Sequence, residues 1–334
     1  MTRALSGIQP TGDIHLGNYL GALRWWVADQ YVHESYFCVV DLHALTVPRR
    51  PAELRTKTME CATLLLAAGL DPEVCTVFLQ SHVPEHTALG WLLECTASMG
   101  ELRRMTQFKE KTAKGGEESA RVALFTYPVL QAADILVYRA DRVPVGDDQR
   151  QHLELTRDLA VRFNQRYGET FVVPEAAIGS RGQGARIMDL QLPRAKMSKS
   201  SESPQGVILV LDPPAVIERK IRRAVTDADT SDDAVRYDPA NKPGVSNLIE
   251  LLAIATDRPP AEVAQQYSQY GPLKSDTAAA LIELLRPVQE RFRDLSADPG
   301  QVTKVLARGA EKARTVAGAT LGRARAAVGL LPRS

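Results

Sequence analysis

Two short segments carry residues whose types and spacing suit work on a polyphosphate. One is Gly7-Ile8-Gln9-Pro10-Thr11-Gly12-Asp13-Ile14-His15-Leu16-Gly17-Asn18-Tyr19; the other is Lys196-Met197-Ser198-Lys199-Ser200. In the first, a β-rich run enters a Gly/Pro turn and a helix opens near Leu16. N–H groups at a helix start, at the positive end of its dipole, favour an anion. Gly17 lets a flat or charged ligand approach the backbone, and His15 and Asn18 add donors. In the second, two lysines with hydroxyls between them suit a flexible clamp on phosphates. Each segment alone also has a plain alternative: a structural histidine beside a turn, and a solvated basic loop. Two other phosphate cradles are excluded. Gly7 and Gly12 have the gap of a P-loop, but Asp13-Ile14 follow where Lys-Ser/Thr is required. No GxGxxG follows the first strand.

The elements that must hold these segments alternate in the first half of the chain. Ala4–Gln9, Tyr36–Val40, Thr76–Gln80 and Arg142–Val145 read as short buried strands. Helical patterns lie between them, the clearest running from Pro51 to a stop at Gly69. Strand, helix, strand at this spacing predicts βαβ units: an α/β fold with a Rossmann-like parallel sheet. Gly179–Gly184, Pro193 and Ser198–Pro204 form a connection. Beyond Pro213 the pattern is helical throughout, over Ala215–Val225, Ser246–Thr256, Ala261–Tyr267, Thr277–Leu295 and Val302–Val328. An all-helical domain is expected there.

Composition bounds the partners. The 334 residues include 44 % hydrophobic and 24 % charged, an ordinary globular balance. Forty-one Lys and Arg against forty Asp and Glu give a net charge of +1, so no global field draws the chain to nucleic acid or membrane. Cysteines 38, 61, 75 and 95 form no CxxC pair, which removes the usual zinc and iron–sulfur spacings. No metal site of protein residues is expected. No apolar run is long enough to span a bilayer and no signal peptide precedes the first turn, so a cytoplasmic protein without a membrane partner is expected.

Taken together, Thr11-Gly12…His15-Leu16-Gly17-Asn18 resembles the HIGH signature, and Lys196–Ser200 the KMSKS signature, of class I aminoacyl-tRNA synthetases. Ser6–Gly12, Gly100–Lys111, Val145–Gln149 and His152–Asp158 narrow the resemblance to bacterial tryptophanyl-tRNA synthetases, and Gly309–Ala313 extends it almost to the end of the chain. Two departures stand out: Asn18 replaces the second His of HIGH, and Gln131 stands where relatives often carry Met.

The resemblance implies two chemical steps. A tryptophan carboxylate attacks the α-phosphorus of ATP, and the terminal adenosine of tRNA(Trp) then takes the aminoacyl group. Catalytic roles fall on Lys196, Lys199, Lys111 and His15. ATP would be held by Gln9, Pro10, Thr11, Gly17, Asn18, Gly146, Asp147, Asp148 and Ile187, with Lys196, Met197, Ser198, Lys199 and Ser200, and Mg²⁺ would be carried by its phosphates. Tryptophan would meet Asp134 through its one ring N–H. Leu5, His43, Val143, Val145 and Gln131 would form the wall, and Tyr127 and Gln149 would hold the α-amino group. The plain alternative for Asp134 is a salt bridge with Arg139 or Arg142. By the same resemblance, residues 1–190 form the catalytic domain with the homodimer interface and 191–205 the KMSKS loop. Residues 206–297 form a helical anticodon-binding domain, and 298–334 a C-terminal helix packing back on the catalytic domain. Candidate tRNA contacts are the basic stretches Gln301–Ser334 and Glu218–Arg223; Leu89, Trp91, Leu92, Leu93 and Met99 could face a second subunit. Rival readings are a tyrosyl enzyme of the same fold, a nucleotidylyltransferase, and a synthetase-like tryptophan sensor.

Overall fold

The computed structural model describes residues 2–112, 120–146, 149–176, 187–198 and 203–332. Five parallel strands form one sheet: β1 (Arg3–Ile8), β2 (Glu34–Val39), β3 (Thr76–Leu79), β4 (Arg142–Val143) and β5 (Glu175–Ala176), in the order β3-β2-β1-β4-β5. The four strands expected from their apolar runs are present within a residue or two. The fifth was not expected, because two residues carry no pattern. Strand order reverses between β1 and β4, and in open parallel sheets the crevice beyond the strand ends at such a reversal is where ligands bind.

Between β1 and β2 lie α1 (Leu16–Asn18), a π-helical turn at Tyr19–Leu23 and α2 (Arg24–Asp29), and α3 (Pro51–Ala67) joins β2 to β3. Among the described residues, four helices lie between β3 and β4: α4 (Glu85–Glu94), α5 (Met99–Arg103), α6 (Thr106–Thr112) and α7 (Val122–Leu136). α8 (Arg150–Tyr167) then leads to β5. After that come α9 (Pro214–Arg222), α10 (Pro243–Thr256), α11 (Pro260–Ala264), α12 (Tyr270–Ala297) and α13 (Pro299–Ala327). Four of these last five begin on a proline, a residue or more before the apolar periodicity starts. A first-turn proline loses no hydrogen bond and has its φ already set. α9 and α11 end short of the expected Val225 and Tyr267, whereas α12 runs through Pro287 without stopping.

Alternation along β2 sorts the core onto two faces. Phe37 and Val39 face Leu23, Trp26 and Leu65, with Trp26 stacked on Phe37 at 5.3 Å. That apolar cluster continues without a break into Leu248, Leu252, Leu281 and Val288 of α10 and α12. Tyr36 and Cys38 face the other way, onto Leu89, Leu136, Leu159 and Phe163. α13 joins the two: Leu306 belongs to the first cluster and Ala313, Ala317 and Ala324 to the second. It therefore crosses the sheet over its edge strand β3, which shields that edge from unwanted strand pairing. The crossing point is Gly309, where a Cβ would stand 1.9 Å from the carbonyl oxygen of Val77. Only glycine permits that approach. Arg308 pairs with Glu73, and Lys312 Nζ donates to the Pro72 carbonyl at 3.4 Å, which docks the same stretch.

Candidate active site

A cavity of about 420 Å³ opens at the C-terminal ends of β1, β2 and β4, at the reversal of strand order. It is lined by Leu5, Gln9, His43, Tyr127, Gln131, Asp134, Val143, Val145 and Gln149, together with Ser6, Cys38, Val40, Gln107 and Ile135 among others. All eight residues assigned to the tryptophan pocket thus come together on one cavity. Tyr127, Gln131 and Asp134 lie on α7 at the i, i+4, i+7 spacing that puts them on one helix face.

Asp134 lines this cavity and is 4 % exposed. Its Oδ1 accepts from Gln80 Nε2 at 2.7 Å and lies 2.6 Å from His86 Nδ1; its Oδ2 lies 2.7 Å from His43 Nε2. Burial by itself raises a carboxyl, but the charge and hydrogen bonds of His43 and His86 outweigh it and bring Asp134 down to about 2. Its partners are therefore histidines and an amide, not Arg139 or Arg142. Tyr127 donates to Gln107 Oε1 at 3.0 Å, with His152 Nε2 2.8 Å from its hydroxyl, and burial pushes that phenol up to about 12. Gln131 Nε2 donates to Gln149 Oε1 at 3.2 Å. The cavity is apolar along Leu5, Val40 and Val143 and also carries the amides of Gln107, Gln131 and Gln149 and the buried Asp134 carboxylate.

The phosphate-like turn lies next to this cavity. After Gly12, at φ +73°, the chain enters α1 with His15 as its cap: Asn18 N donates to His15 Nδ1 and His15 N to Asn18 Oδ1, both at 3.3 Å. Leu16 N donates to the Ile208 carbonyl at 2.8 Å. The N–H groups of Leu16 and Asn18 are thus bonded within the protein, which narrows the anion site expected from this helix start. Gly17 also has a second reason to be glycine, since a Cβ there would lie 3.1 Å from the His15 ring.

A Cβ at Gly17 would also lie 3.8 Å from the Ile187 Cβ, and Ile187 O accepts from Met197 N at 2.9 Å. Met197 is buried at 1 % while Lys196 beside it is exposed. The two signature segments, far apart in sequence, therefore meet through Ile187.

A family model described as tRNA synthetases class I (W and Y) matches residues 1–286. The chain belongs to this family. It is 57 % identical to tryptophan–tRNA ligase 1 of Streptomyces coelicolor over 337 residues, covering 99 % of this chain and 98 % of that one. Among solved structures, it matches the tryptophanyl-tRNA synthetase of Mycoplasma pneumoniae with a TM-score of 0.88 at 37 % identity, over 99 % of this chain and 98 % of that one. It also matches the Campylobacter jejuni enzyme, complexed with ADP and tryptophan, with a TM-score of 0.84 at 31 % identity, over 98 % and 100 %.

Within this synthetase the remaining expected residues fall as follows. Gln9, in the cavity lining, and Gly146 are exposed, Pro10 is buried, and Thr11 and Ser198 are half-buried. The Gly146 carbonyl accepts from Gln149 N at 3.0 Å. Asp147, Asp148, Lys199 and Ser200, and the side chain of Lys111 on α6, lie outside the described residues.

Gln80 and His86 were not expected at the site. Gln80 follows the apolar run Val77-Phe78-Leu79 at a strand C-terminus and is fully buried, a burial that only the structure shows. Lys220 is turned inward onto Asp212 at 2.6 Å and the Val207 carbonyl at 2.7 Å, which removes it from the Glu218–Arg223 basic cluster. The apolar residues of α4 and α5 divide in the same way: Leu89 and Leu93 are fully buried, whereas Trp91 and Met99 are 66 % and 60 % exposed. Among the described residues, no helix is long and apolar enough to cross a membrane.

Proposed function

We propose that the chain is a tryptophan–tRNA ligase acting in the cytoplasm. The observation that carries this reading is the buried, ionised Asp134 in the cavity at the reversal of strand order, beside the apolar wall of Leu5, Val40 and Val143. An indole has one N–H and no acceptor, so it needs one acceptor at depth. An unpaired carboxylate there penalises a ring lacking the N–H. The S. coelicolor relative is named a tryptophan–tRNA ligase, which favours tryptophan over tyrosine within the family.

In the first step a tryptophan carboxylate oxygen attacks the α-phosphorus of ATP, and the bond to the pyrophosphate oxygen breaks with its electron pair. In the second a ribose hydroxyl of the terminal tRNA adenosine, the 2′-OH by family resemblance, attacks the acyl carbon and AMP leaves. The first step is accelerated by alignment and by neutralising charge on the leaving pyrophosphate. In this reading Lys196 and Lys199 bind that charge, with Lys111 opposite. Gln9, Thr11, Gly17 and Asn18 hold adenosine and phosphates, while Gly146, Asp147 and Asp148 face ribose and adenine. Tyr127 and Gln149 hold the α-amino group. In this reading Mg²⁺ would enter with ATP, carried by its phosphates.

The same reading makes residues 206–297 the anticodon-binding part. It also makes the protein a homodimer, a state supported by the exposed Trp91 and by the exposed Met99, which lines a second cavity of about 440 Å³ with Leu102, Phe108 and Phe125. The deciding experiment is ATP–pyrophosphate exchange with each amino acid separately, without tRNA, followed by charging of tRNA(Trp). Exchange confined to tryptophan supports the reading. Exchange with tyrosine instead, or with no amino acid, overturns it.

A further inference from the structure

Asp134 is held from behind as well as from the cavity. Gln80 and His86 do not line the cavity, yet both address the same oxygen, Oδ1, at 2.7 and 2.6 Å. On the cavity side His43 Nε2 lies 2.7 Å from Oδ2. An ionised carboxylate only accepts, so each of these neighbours must present a hydrogen. For His86 this means a proton on Nδ1. Its Nε2 faces the Tyr138 hydroxyl at 2.7 Å, which fixes the ring from the far side. Tyr138 is fully buried, and burial pushes its phenol far up, so the hydroxyl keeps its proton. A carboxylate has about four acceptor positions, two on each oxygen. Oδ1 is filled by its two donors, and Oδ2 keeps one open position beside His43.

We propose that Gln80, His86 and Tyr138 are positioning residues that set the ring specificity of this cavity by saturating Oδ1. A single acceptor position is then left on Oδ2, matched to a ring that brings one N–H and no acceptor. The proposal rests on the tryptophan reading above and extends it to residues that touch no substrate. A phenol could donate to Oδ2, but its own oxygen then needs a donor, and His43 Nε2, which lies 2.7 Å from Oδ2, is already given to the carboxylate. A ring without an N–H leaves the Oδ2 position unpaired in a desolvated slot. With His86 unable to donate, Oδ1 regains an open position and the carboxylate no longer presents one defined acceptor.

The test compares kcat/KM in pyrophosphate exchange for L-tryptophan and for benzothienyl-alanine, in which sulphur replaces the ring N–H. His86→Leu removes the donor. His86→Asn keeps one, because the Asn Nδ2 can occupy the place of imidazole Nδ1. In His86→Leu the preference for tryptophan is expected to fall by about 10-fold or more, with the change in the KM for tryptophan and none in the KM for ATP. In His86→Asn it returns to within about threefold of wild type. An unchanged preference in the leucine variant, or an equal loss in both variants, overturns the proposal. Should the leucine variant not fold, Tyr138→Phe carries the test: a lowered preference supports the proposal and a wild-type preference overturns it. Absence of tryptophan-dependent exchange in the wild-type protein would overturn the underlying reading as well, which separates the two failures.

Discussion

Asn247 grips Met188 as a neighbouring strand would: Met188 N donates to Asn247 Oδ1, and Asn247 Nδ2 donates to Met188 O, both at 3.1 Å. Met188 pairs in turn with Lys196. The amide of a helix in the second half of the chain therefore fixes the backbone from which the lysine segment springs. Asn247 is 3 % exposed, so replacing it with Ala leaves Met188 N and O without these partners and costs about 1–3 kcal/mol for the unmet groups. Asn247→Ala is expected to lower the melting temperature and the maximal exchange rate together, while the KM for tryptophan stays put. A raised KM for tryptophan at an unchanged maximal rate would show that Asn247 acts on the cavity instead.

Asp134→Ala is expected to abolish tryptophan-dependent exchange, with kcat/KM falling on the order of 10³-fold or more, while ATP binding persists. The substitution removes the acceptor and leaves donors from His43, Gln80 and His86 aimed at a void. Equilibrium binding of ATP and exchange kinetics on the same preparation separate the two effects. Wild-type discrimination in this variant would sink the pocket assignment.

How much of this was legible in the sequence depends on whether a residue's meaning is local. Strands β1 to β4 were readable because Val, Ile, Phe and Tyr cluster in short runs between turn residues, and the two-residue β5 was not. Tyr127, Gln131 and Asp134 were recognised through family resemblance, and their helical spacing agrees with their common cavity. The grip on Asp134 was not legible. Gln80 and His86 are unremarkable polar residues until the fold brings β3 and α4 against α7. The sequence makes His15 a donor to the ligand, and the structure adds a second task, since its Nδ1 accepts from Asn18 N as the cap of α1. A cap and a phosphate site draw on the same residue types, because both supply partners to backbone groups at a helix start.

The acid limb of stability carries a definite sign. Glu101 is brought down to about 2, chiefly by its hydrogen bonds with Arg162, and also by Ser98. A carboxyl lowered on folding contributes stability that is complete above its unfolded value, near about 4, and that is lost as pH falls towards 2. Glu101→Gln is therefore expected to lower the urea midpoint at pH 7, with the difference from wild type shrinking as pH drops from about 4 to 2. A difference that stays constant over that range would mean that the Glu101 charge contributes nothing.

Gly309→Ala tests the crossing of α13 over the sheet edge. A methyl group 1.9 Å from the Val77 carbonyl oxygen meets backbone on both sides, which cannot swing away as a long side chain would. Overpacking of this kind costs about 1–3 kcal/mol. The variant is expected to melt several degrees lower and, with β3 uncovered, to aggregate faster on heating. An unchanged melting temperature would show that α13 can lift off without cost.

Lys196 and Met197 divide one task between adjacent positions. Met197 is buried at 1 % against Ile187 and its neighbours, while Lys196 stands in solvent. A cation rooted in this way can reach a polyphosphate without the whole segment being free to wander, so less order has to be created on binding. Lys196→Ala is expected to cut the maximal exchange rate by about 10²-fold, as losing one donor to a developing charge does elsewhere, and to leave the KM for tryptophan unchanged. Lys196→Arg keeps the charge but replaces a compact ammonium with a planar fork, so partial activity is expected. Met197→Ala keeps both lysines and removes the root. Its cavity costs about 2–5 kcal/mol, and its exchange rate should fall through mobility of the segment, a loss that excess ATP does not recover. A wild-type maximal rate in Lys196→Ala would leave Lys196 as a solvated charge on a loop held in place only by its neighbour.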